Sequence, residues 1–187
     1  KEGHTFQNWD PAVPATIPAE NTTVTAVYTV NQYSVKFYAD QNKLDTELVY
    51  NQKHDFASEI PVVGDQFRTG YVFKGWAYDG TTEVIDLAAN KQYVPSHDVT
   101  FVGIWETDSY RLNYRGATGI HEYFMVPYGT PVAEWPVPAT APAKEGNYFN
   151  GWSDSGLATM PADVVTINPI FVAETYKLQF ANTGDTT

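Results

Sequence analysis

Four histidines, His4, His54, His97 and His121, are the side chains in this chain best suited to moving a proton near neutral pH or ligating a metal. None has a second histidine or a glutamate at the spacing that assembles such a site, and no metal or cofactor is expected. Each histidine is instead predicted to lie in a solvent-exposed loop. Nucleophilic chemistry is equally short of parts. No Gly-x-Ser-x-Gly elbow occurs and cysteine is absent, which also removes disulfides and thiolate metal sites. The 22 acidic residues would supply a glycosidase's carboxylate pair only inside a cleft that excludes water. No catalytic residue is assigned, and the chain is expected not to be an enzyme.

Tryptophan is the remaining chemical resource, because an indole can stack on a sugar or anchor a small core. Three of the five tryptophans close one recurring motif, Gly-x-x-Phe-x-x-Trp: Gly3, Phe6 and Trp9; Gly70, Phe73 and Trp76; Gly146, Phe149 and Trp152. The motif tryptophans are 67 and 76 residues apart, so the chain reads as an array of small related modules. A Phe–Trp pair at a fixed place in every module points to packing. Phe6, Trp9, Phe73, Trp76, Phe149 and Trp152 are therefore predicted as core anchors, and the glycines as positions needing a positive φ or close backbone approach.

Other passages recur with it. Tyr33-Val35-Phe37, Tyr110-Leu112-Tyr114 and Tyr176-Leu178-Phe180 alternate apolar with polar, the pattern of a strand with one buried face. After each motif comes a proline, a polar turn and a β-branched run, from Pro18, Pro95 and Pro161. The interval from Trp76 to Pro95 is about ten residues longer than its counterparts, which places an insertion near 79–92, read as a hairpin extension. Second strands are expected at Leu48–Tyr50 and Tyr123–Val126. Asp55–Ile60 and Thr130–Trp135 offer the one plausible short helix per module, bounded by Pro61 and Pro136.

The domain reading follows: 1–31 is the closing part of a preceding module, 32–107 and 108–174 are complete modules, and 175–187 is an opening strand or tail. A chain that starts within a module is expected to be cut from a longer protein. Four strands and a short helix per module suggest an α+β, strand-rich fold of β-grasp type; the alternative is an all-β immunoglobulin-like module.

Charge narrows the partners. A net charge of −11 and a pI near 4.6 argue against nucleic acid, and the acidity is read as serving solubility rather than calcium binding. No apolar run is long enough to span a membrane. Two short matches are set aside: Phe180–Gly184, a near miss to a wall-sorting signal, is read as a turn, and Asn21-Thr22-Thr23 as no glycosylation site.

The stretch Gly70-Tyr71-Val72-Phe73-Lys74-Gly75-Trp76, with an alternating strand before it and Pro95, Asp98, Thr100 and Trp105 after it, resembles the Listeria-Bacteroides repeat, the B-repeat type of internalin-like surface proteins. The resemblance covers essentially the whole chain as a tandem array. Asn8 stands where the family favours glycine, and Asn147 separates Gly146 from the aromatic Tyr148. The resemblance implies a ubiquitin-like β-grasp fold, export, and residence at the surface or wall of a bacterium, often in adhesins. The expected role is a non-enzymatic stalk, spacer or accessory adhesive surface. The alternative is a glycan- or host-protein-binding module using Tyr78, Tyr93, Tyr123 and Trp135.

Overall fold

The computed structural model describes residues 1–180, which divide into two units, Lys1–Glu106 and the segment from Thr107 onward. Strands β1 (His4–Asp10) and β2 (Thr25–Val30) open the first unit as an antiparallel pair with a register shift between Phe6 and Asn8. Next come β3 (Gln32–Tyr38), β4 (Leu48–Asp55), β5 (Tyr71–Tyr78) and β6 (Val99–Thr107), which form one sheet in the order β4-β3-β6-β5. β3 is antiparallel to β4 and parallel to β6.

The alternation seen in β3 has its expected consequence: Val35 and Phe37 are completely buried while Lys36 between them turns to the other face. They meet Trp76 from β5 and Val99 and Phe101 from β6, with Ile60, Leu87 and Val94 brought in from the connections. Phe37 sits at the middle of this core, stacked on Phe101 at 4.6 Å and edge-on to Trp76 at 5.0 Å.

In the second unit β7 (Ser109–Arg115) pairs with β8 (Ile120–Pro127) on one side and in parallel with β10 (Val165–Ile167) on the other. β9 (Asn147–Trp152) pairs antiparallel with β11 (Pro169–Ala173). Leu112, Tyr114, Val126, Trp135, Met160, Val165 and Ile167 form its core.

The fold is nearly all β, which corrects the α+β, β-grasp expectation of a helix in each module. Helical geometry among the described residues is confined to two three-residue 3-10 turns, Asp45–Glu47 and Val132–Glu134. Physical competition explains the loss. Ala57 takes φ +60, outside the right-handed helix, and its amide donates to the Val94 carbonyl, while the Ile60 amide donates to Gln92. The predicted helix is thus an irregular strip laid against residues 92–94, closed by the return bond from the Val94 amide to Ser58. In the second unit the expected segment Thr130–Trp135 keeps only the 3-10 turn Val132–Glu134, and its start is tied to another stretch of chain: the Val132 amide donates to the Ala158 carbonyl, and the Thr130 carbonyl accepts from the Met160 amide. Six residues ending at a proline cannot repay helix nucleation, so the cross-chain bonds win. The all-β content of the immunoglobulin-like alternative agrees with this, but its topology does not: β3 with β6, and β7 with β10, pair in parallel, where an immunoglobulin-like sandwich has two antiparallel sheets.

Tyr176, Leu178 and Phe180 are exposed and belong to no strand, and residues 181–187 of the tail expected at 175–187 lie outside the described residues. Most of the Phe180–Gly184 near miss lies outside them as well.

Candidate functional site

The histidines do not sit in open loops, apart from the exposed His97. His4, His54 and His121 are half-buried within β1, β4 and β8, where each ring lies against an aromatic neighbour: Tyr28 and Phe56, Tyr50, and Trp152 respectively. Their polar edges are also occupied. His54 Nε2 lies 2.6 Å from the Tyr50 hydroxyl, and His121 Nε2 lies 2.9 Å from the Thr140 carbonyl oxygen. Aromatic strand surfaces account for these placements, since imidazole packs on a ring as well as it solvates. Among the described residues no three His, Asp or Glu side chains come together as a metal site.

The six predicted anchors separate by copy. Trp76 is buried, 4% exposed, and its indole N–H donates to the Val63 carbonyl at 2.8 Å. Phe73 is half-buried between Trp76 and Trp105, with ring centroids 5.1 and 5.0 Å away. In the third copy Phe149 and Trp152 are both half-buried, packed on one another at 5.0 Å, with Trp152 edge-on to Tyr114 at 4.7 Å. In the first copy Phe6 and Trp9 are 46% and 43% exposed. They contact one another, and Phe6 contacts Tyr28, but the two-stranded β1–β2 ribbon brings no facing layer to cover them. The core assignment of Phe6 and Trp9 is corrected accordingly.

What covers Trp76 is the insertion. Ile85 forms an antiparallel bridge with Trp76, its amide donating to the Trp76 carbonyl at 2.7 Å. Val84 fills the notch over Gly75: a Cβ at that glycine, which has φ +131, would meet Val84 Cγ1 at 2.5 Å. Leu87 is driven into the core, and Asp86 caps the turn that follows by accepting from the amides of Ala88 and Ala89. The insertion is therefore a lid on its own module, not a projecting hairpin. Adjacent β-branched residues bounded by turn formers at Gly80 and Asp86 were the available signal.

The four aromatics expected in solvent also divide. Tyr93 and Tyr123 are exposed, and Arg111 stacks over the Tyr123 ring at 4.2 Å. Tyr78 is half-buried against the first core, and Trp135 is buried with its indole N–H donating to Thr130 at 3.0 Å. An indole with an acceptor five residues back along the chain can go inside without an orphaned donor.

In the second unit, burial pushes the Tyr114 phenol above its ordinary value of 10.0. Its folded state therefore holds the proton where the unfolded chain releases it. The associated stability is fully present below pH 10 and is lost as pH rises through the folded value. Alkaline unfolding followed by amide NMR should show the second unit weakening from about pH 10, and Tyr114→Phe should remove that part of the loss. An unchanged alkaline profile in the variant would contradict the assignment.

Residues 33–103 match the family model of the Listeria-Bacteroides repeat domain, as the motif resemblance implied. A protein of Evansella cellulosilytica named "Putative Gly-rich membrane protein" is 27% identical over 180 residues, a match that takes in 89% of this chain and 19% of that protein. The chain thus spans about a fifth of that relative's length. Among the described residues, no helix is long and apolar enough to cross a membrane.

Proposed function

We propose, from the repeat domain at residues 33–103, that the chain is a non-enzymatic repeat segment of an exported bacterial surface protein, acting as a stalk, spacer or accessory adhesive surface. The observation that carries this reading is that the two units each own a separate hydrophobic core built on the same motif. Modules with private cores can be added in series without disturbing their neighbours, which extends reach at little folding risk. The match to a small fraction of a much longer relative agrees with service as one part of a modular chain.

A linear array predicts a large hydrodynamic size. Small-angle scattering should give a radius of gyration of about 20 Å or more, against the roughly 16 Å that size scaling assigns to one 187-residue globule. A value at the globular limit would count against the spacer role. Protease treatment of intact cells expressing the full-length protein tests the location, since a surface segment is cleaved without lysis.

The rival reading, an aromatic platform for glycans or a host protein, keeps only Tyr93 and Tyr123 of its four side chains in solvent. These two fall in different units. Direct binding to a glycan or host protein is therefore the lesser reading for these aromatics.

A further inference from the structure

One difference between the two full modules lies beside the motif tryptophan, and it leaves a site open. In the first unit, residues 84–87 lie along the free flank of β5, with Val84 over Gly75 and Ile85 bridged to Trp76. The second unit has the same motif glycine and tryptophan, Gly151 and Trp152, but no insertion. Gly151 has φ +108, and nothing lies within 4 Å of where its Cβ would stand. Trp152, bridged within the described residues only to Pro169 of β11, is half-exposed where Trp76 is covered. Beside it opens a cavity of about 190 Å³ whose apolar wall is Trp152, Trp135, Tyr114, Val132 and Ile167.

That volume is below the roughly 300 Å³ at which small-molecule pockets begin, and it suits one or two aliphatic side chains. The first unit shows what such a surface accepts: an extended segment, antiparallel, with a valine in the glycine notch and an isoleucine bonded to the tryptophan backbone. We propose that β9 of the second unit receives the equivalent segment from a partner protein, an extended strand carrying two adjacent β-branched residues. Recognition would be strand addition, in which backbone bonds give affinity and the Gly151 notch selects the side chain.

Local charge sets the flanks of that strand. In the first unit Lys74 borders the notch with its ammonium paired to Glu106 at 2.9 Å, and the cover carries Glu83 and Asp86. Asn150 takes the lysine's place in the second unit, and Asp154 lines the cavity. In a chain of net charge −11, the favoured partner segment is therefore uncharged or basic on either side of its β-branched pair. The proposal concerns a surface of the second unit and does not depend on where the protein resides.

The test is a titration of the ¹⁵N-labelled full chain with a synthetic peptide of residues 80–88 carrying Glu83→Lys and Asp86→Lys. Saturable shifts below about 1 mM peptide are expected at Gly151, the Trp152 indole and Val132, with Gly75 and Trp76 unmoved because their site is already filled. A control peptide that also carries Val84→Asp should shift nothing. Absence of shifts at that concentration, equal shifts with the control, or shifts at Gly75 and Trp76 would each overturn the proposal.

Discussion

Replacing Trp76 with alanine is expected to remove about 3–5 kcal/mol of stability from the first unit, the range for deleting a buried indole. The loss combines three observations: contact with both Phe37 and Phe73, cover from the insertion, and an indole N–H bonded to Val63. For a unit of this size the melting point should fall by roughly 15 °C or more. The other two motif tryptophans calibrate the claim. Trp152→Ala should cost about half as much, since its ring is half-solvated. Trp9→Ala should cost less than about 1 kcal/mol from an exposed position. Chemical denaturation followed by unit-specific amide signals measures all three, and a cost for Trp9→Ala equal to that for Trp76→Ala would refute the ordering.

Gly103→Ala should be strongly destabilising for so small a change. Gly103 lies in β6, where the chain leaving β3 crosses it so closely that a Cβ would collide with the Ala39 carbonyl oxygen. The same Cβ would lie 3.1 Å from the Ala39 carbonyl carbon and from Phe73 Cε2. Backbone cannot swing aside as a lysine tip can. The Ala39 carbonyl is moreover already committed, accepting from the Trp105 indole at 2.6 Å. Overpacking of this kind costs about 1–3 kcal/mol, and displacing the Trp105 acceptor adds about 1 kcal/mol. Denaturation should therefore show a loss of about 2–4 kcal/mol, together with a shift of the Trp105 indole resonance. Stability within about 0.5 kcal/mol of the parent would show that the crossing is looser than described.

Strands were legible because their signal is local. Tyr33-Val35-Phe37 became β3 and Tyr110-Leu112-Tyr114 became β7, and the short runs at Leu48 and Tyr123 proved to be parts of β4 and β8. The lid was legible as extra length and as a β-branched pair between turn formers, but not as a lid. Its partner, the backbone of Trp76, is nine residues from Ile85 in sequence, and nothing at either position announces the bridge.

By itself the chain's order of residues determined the repeat, the alternation that makes strands, and the absence of cysteine, since these are matters of composition and short spacing. Tertiary structure alone decided two of the outcomes that differed from expectation. Asp55–Ile60 has the local pattern of a helical turn, yet the carbonyls of Gln92 and Val94 take its amides. The three motif tryptophans are alike in sequence, yet one is sealed by a lid, one half-covered and one exposed. In both cases the deciding atoms lie outside the short motif itself, and a buried surface or a satisfied amide depends on what lies across from it, which no local pattern encodes.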